Sequence, residues 1–89
     1  MQLSKKEKKQ IVPNALAEVL KEKRGAKSQF VFSSENDISI SIISSIERGL
    51  KDPQLTTVFK LAEALDIPCN EFISLLLKKL PKDFYLIDK

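Results

Sequence analysis

With 89 residues, 43% of them apolar and 30% charged, the chain has the balance of one small globular domain and no room for a second. The net charge of +3 is unevenly placed: residues 1–29 carry +5 and residues 30–89 carry −2, so the basic end suits an anionic partner. The absence of His and the single Cys69 exclude an intramolecular disulfide, a zinc site of Cys and His ligands and the usual general base, so neither an enzyme nor a cofactor-binding protein is expected.

Only Gly25 and Gly49 are present, too few for a phosphate-cradling glycine loop. No apolar run approaches the roughly 20 residues that cross a bilayer. The start Met-Gln-Leu-Ser-Lys-Lys-Glu lacks a secretory apolar stretch, so a cytoplasmic protein without a membrane partner is expected.

Residues 1–12 hold Lys5, Lys6, Lys8 and Lys9 around Glu7, and Ser4 with Glu7 three residues later has the form of a capping box. The segment reads either as a short helix or as a solvated arm, because Pro13 would interrupt a helix running through it. From Pro13 or Asn14 to Arg24, Leu16, Val19 and Leu20 recur at helical spacing and Gly25 supplies a stop, which marks the first core helix. Ser28 suits the N-cap of a second helix reaching about Glu35 with Val31 or Phe32 inward, and Asn36-Asp37 suits a tight left-handed turn.

Ser39 can cap a third helix in which Ile42 or Ile43 and Ile46 share one face and Ser41, Ser44 and Ser45 another, ended by Gly49. The same stretch has five isoleucines interleaved with serines between Ile38 and Ile46, and its local propensity favours a strand. After Leu50-Lys51-Asp52-Pro53, the residues Leu55, Val58, Phe59, Leu61, Ala62 and Leu65 mark a fourth helix. A fifth runs from Cys69 or Asn70 to Leu80, between Pro68 and Pro81. Cys69 reads as a small apolar residue at the start of that helix. The end, 81–89, has β propensity without a partner strand and either packs across a dimer or hangs loose.

Two short helices joined by a tight turn, the second with one polar face, have the geometry that fits a major groove. The run Ser28-Gln29, Asp37-Ile38-Ser39, Ile43-Ser44-Ser45-Ile46-Glu47-Arg48-Gly49, Asp52-Pro53 and Leu61-Ala62-Glu63-Ala64-Leu65 resembles the Xre/Cro/C1-type helix-turn-helix family over roughly residues 15 to 77. The resemblance implies an all-α, compact five-helix bundle of the lambda-repressor-like kind over residues 13–80. It also replaces the strand reading with a recognition helix at about 39–48.

The resemblance further implies that Gln29 contacts the DNA backbone and that Ser39, Ile40, Ser41, Ser44 and Ser45 face the groove. The family more often carries Arg, Gln, Asn or Lys at these groove positions, so direct readout is expected to be weak. It places Glu47 in a structural pair with a basic residue of the first helix, Lys21 if one residue is inserted near Ala26. Arg48, Lys51 and the basic N-terminus are expected phosphate contacts.

The fifth helix is apolar on more than one stripe, and Phe72, Leu76 and Leu80 are expected at a homodimer interface. The expected function is a DNA-binding transcriptional regulator, a repressor acting as a homodimer on double-stranded DNA. The alternative is a protein-interaction module of the same fold, an antitoxin or adaptor with a toxin or other protein partner. The serine-rich face and Phe30, which stands where the family carries an exposed polar residue, favour that alternative.

Overall fold

The structure, a computed structural model, describes residues 3–87. The outermost residues of the expected N-terminal arm, Met1 and Gln2, and of the tail, Asp88 and Lys89, lie outside the described residues. Five helices follow in chain order: α1 (Lys5–Arg24), α2 (Gln29–Asn36), α3 (Ile40–Glu47), α4 (Leu55–Ala64) and α5 (Cys69–Lys79). Among the described residues there is no strand, so the isoleucine–serine stretch is helical and burial overrides its local propensity. As α3, that stretch sends Ile43 and Ile46 into the core with no exposed surface.

The core is shared by every helix: Leu16, Val19 and Leu20 from α1, Phe32 from α2, Ile43 and Ile46 from α3, Leu61 and Ala62 from α4, and Phe72 from α5. Ile38 joins them from the turn, and Cys69 packs against the cluster as a half-buried apolar side chain. α1 lies against α3 and α5, α2 against α3, and α4 against α5. Lys79 at the end of α5 closes the bundle on α1 through an ion pair to Glu22 at 2.6 Å.

The boundary expected between residues 12 and 13 does not exist as a break, because α1 is one continuous helix of 20 residues with Pro13 inside it. An interior proline removes a backbone hydrogen bond and costs about 3 kcal/mol, so the N-terminal half must be held by something else. Two devices do this. Ser4 and Glu7 form the reciprocal capping box at 3.1 Å in both directions. Gln10 then donates through Nε2 to the Gly49 carbonyl at 2.7 Å and to Asn14 Oδ1 at 2.8 Å, which ties the first turns of α1 to the end of α3. The Pro13 ring is itself buried, so it contributes apolar packing where its backbone contributes no donor.

Among the described residues the tail neither forms a strand nor leaves the body of the protein. Residues 81–87 turn back so that Leu86 lines a groove of about 530 Å³ with Val12 and Pro13 of α1 and Leu50 of the α3–α4 loop. Tyr85, Leu86 and Ile87 remain more than half exposed.

Gly49 has φ of +71°, and a Cβ there would stand 2.7 Å from Asn14 Oδ1, so both backbone and space demand glycine. Gly49→Ala is expected to lose about 1–2 kcal/mol from the left-handed backbone and more from displacing Asn14, read as a lower urea midpoint. Adding Asn14→Ala should recover the steric part only. An unchanged midpoint in the single variant would show that the Gln10–Asn14–Gly49 cluster does not hold α1 to α3.

Candidate nucleic-acid interface

The helix-turn-helix is built locally before it is packed globally. Ser28 caps α2, its hydroxyl accepting from the Val31 amide at 3.1 Å. Asp37 ends α2 in the left-handed region at φ 51°, as Asn36-Asp37 foretold. Around that turn, Ser33 Oγ donates to the Ile38 carbonyl at 2.6 Å and Asn36 Nδ2 to the Phe32 carbonyl at 2.9 Å. These two side chains brace the backbone on either side of the turn between α2 and α3. Ser39 caps α3 by accepting from the Ile42 amide at 3.3 Å.

The outer face that α3 presents is short and nearly neutral. Ser39, Ile40, Ser41 and Arg48 are exposed, Ser44 and Ser45 are half-buried, and Lys51 is exposed on the loop that follows. Ser39 Oγ and Ser41 Oγ share a hydrogen bond at 3.3 Å. The expected groove-facing residues thus run the length of α3, from its N-cap Ser39 to its C-cap Arg48, each exposed or half-buried.

Gln29 stands apart from them at the start of α2, half-buried, with Nε2 donating to Glu47 Oε1 at 3.0 Å. Its first role is therefore structural, a role the sequence reading did not assign.

Glu47 is 5% exposed, a buried carboxylate among core residues. Its basic partner is Arg24 and not Lys21. Arg24 Nε reaches Oε2 and Nη2 reaches Oε1, both at 2.7 Å, which is the two-pronged pairing that only guanidinium geometry allows. Lys21 is exposed and acts on Glu47 only through its charge. The expected Lys21 pair assumed one inserted residue; α1 instead runs to Arg24 and brings its last side chain over the end of α3. Arg24 also donates to the Lys27 carbonyl, so the same guanidinium braces the α1–α2 connection. Burial alone would push the Glu47 carboxyl up. The hydrogen bonds from Arg24 and Gln29, with the charges of Arg24 and Lys21, outweigh it and hold the carboxyl below its ordinary value.

The expected dimer residues divide. Phe72 has no exposed surface and is the centre of the monomer core, so it cannot meet a second chain. Of the three expected residues only Phe72 is overturned, because it is the inward-facing member of the helix. Leu76 and Leu80 are half-buried, while Leu77 is 60% exposed and Ile73 37%. Among the described residues no group of three or more His, Cys, Asp or Glu is placed to hold a metal, and no helix is long and apolar enough to cross a membrane.

Glu47→Gln is expected to cost at least about 2 kcal/mol, less than the roughly 3–5 kcal/mol of a fully buried pair, because the Arg24 side chain keeps 16% exposure. The folded carboxyl lies below the ordinary value of 4.5. The stability it contributes is therefore fully present above that value and is lost as the pH falls through the depressed one. Urea midpoints measured from neutral to acid pH should fall more steeply for wild type than for Glu47→Gln. Equal slopes would remove the pair from the account of acid sensitivity.

Residues 35–72, from the end of α2 through α3 and α4 to the start of α5, match the family model described as helix-turn-helix. No curated protein and no solved structure gives a significant match to the chain. With the capped turn, the buried carboxylate and the five-helix order already in view, the match identifies residues 35–72 as a helix-turn-helix segment of the Cro/C1 type within a fold that is all-α among the described residues.

Proposed function

We propose that this protein is a transcriptional repressor that binds double-stranded DNA as a homodimer, with α3 in the major groove. The observation that carries the reading is the exposed face of α3, held out from the core on a doubly capped turn and locked from behind by Arg24 and Glu47. A helix so presented fits a groove about 12 Å wide.

The charges around it agree with a phosphate partner. Arg48 and Lys51 are exposed beside the groove-facing residues, and Gln10 fastens the lysine-bearing first turns of α1 to Gly49, next to Lys51. Gln29 spends one amide N–H on Glu47, and its second N–H is available to a phosphate oxygen at the start of α2. These contacts carry charge and register, not sequence.

Dimerisation is proposed through the outer stripe of α5. Ile73, Leu76, Leu77 and Leu80 recur at one-turn spacing, and Leu77 is largely exposed. Two copies related by a twofold axis would present their recognition helices about 34 Å apart, one DNA turn.

A second reading, a protein-interaction module such as an antitoxin, draws on Phe30. This aromatic side chain is 70% exposed on α2, where neither the core nor a phosphate has use for it.

Fluorescence-anisotropy titration of duplex DNA across a salt series separates the two. DNA binding through about five or more phosphate contacts should show a log–log salt slope near −0.9 per contact. Ser45→Glu should abolish binding, and Lys51→Ala should reduce the slope by about one. Binding indifferent to salt and to both substitutions would favour the protein-interaction reading. For the dimer, sedimentation equilibrium should show wild type as a dimer and Leu77→Asp as a folded monomer; a wild-type monomer at high micromolar concentration would overturn that part.

A further inference from the structure

The α3 face contains one side chain that does not belong with the rest. Among the described residues Ile40 is the only large apolar side chain of α3 that is substantially exposed, at 44%, while Ile43 and Ile46 of the same helix have no exposed surface. It stands at the first helical position, between Ser39 and Ser41, whose hydroxyls are engaged with each other and, for Ser39, with the Ile42 amide. Nothing in the fold needs an isoleucine there. A β-branched residue is a mediocre choice for a helix start, and the capping is done by Ser39.

The chemistry of the groove floor has one match for such a group. The base edges of the major groove offer nitrogen and oxygen acceptors and amino donors, none of which an aliphatic side chain can use, and one apolar group, the 5-methyl of thymine. A serine hydroxyl can donate or accept and so distinguishes bases poorly. Resting on the DNA-binding reading above, we infer that Ile40 is the specificity-determining residue of this face and reads a thymine 5-methyl group in each half-site. The flanking serines and the basic residues set register and affinity.

The test starts from a duplex selected out of a random-sequence pool by the wild-type protein, then resynthesised with deoxyuridine in place of each thymine in turn. This change removes only the methyl. At one thymine position per half-site, wild type should bind about fourfold more weakly, the worth of burying one methyl group, and about fifteenfold more weakly when both half-sites are changed. Ile40→Ala should bind the thymine and deoxyuridine duplexes equally. It replaces an exposed residue with a better helix former, and an unchanged circular dichroism melt verifies its fold.

Wild type that selects a sequence but is indifferent to every methyl removal overturns the inference and leaves DNA binding standing. So does an Ile40→Ala protein that keeps the wild-type sensitivity. A wild type that binds no duplex at low salt overturns the DNA-binding reading, and this inference with it.

Discussion

The carboxylate of Glu47 is the point on which the geometry turns. It is buried at the end of α3, and an unpaired charge there would cost several kcal/mol. It is tolerated because Arg24 grips both oxygens from the end of α1 and Gln29 adds a third hydrogen bond from the start of α2. Three helices meet at one side chain. Apolar packing of Ile43 and Ile46 could be satisfied with α3 slid or rotated somewhat; the bidentate pair admits one position. The recognition face is therefore set from behind by electrostatics, while the hydrophobic core supplies most of the binding energy of the bundle.

A second fastening works at the other side of the same helix. Gln10 and Asn14 close over Gly49, where no Cβ fits, and so couple the N-terminal turns of α1 to the end of α3. This contact explains why α1 runs unbroken through Pro13. It also means that the most basic stretch of the chain is not a separate arm but part of the body that carries α3 and Lys51. Lys5, Lys6, Lys8 and Lys9 are thereby carried on the part of α1 that Gln10 fastens to Gly49, two residues before Lys51.

Much of this was legible in the residues, for identifiable reasons. Caps are local chemistry, so Ser28, Ser39 and the Ser4–Glu7 box could be read directly, as could the left-handed Asp37. Helical spacing placed α4 and α5 and named most of the core. Three features were not legible because they depend on distant partners. Pro13 signals a break unless one knows that Gln10 has found Gly49. Arg24 and Lys21 are both bases near the end of α1, and only the path of the chain decides which one meets Glu47. Phe72 and Leu77 lie on the same apolar helix, and which stripe faces inward follows from where α1 and α4 stand. The sequence pattern singles out Gln29 as a DNA-backbone contact, but its tie to Glu47 needed the third dimension. The strand propensity of residues 38–46 was overruled only by a pattern extending well beyond them.

The central claim is that the exposed face of α3 enters the groove, and an amide chemical-shift titration of labelled protein with duplex DNA reads that face residue by residue. The account predicts that the largest shifts fall on Ile40, Ser41, Ser44, Ser45, Arg48 and Lys51, with the start of α2 following and the outer stripe of α5 silent. Shifts concentrated on Phe30 and α5, or no saturable shifts at low salt, would contradict it.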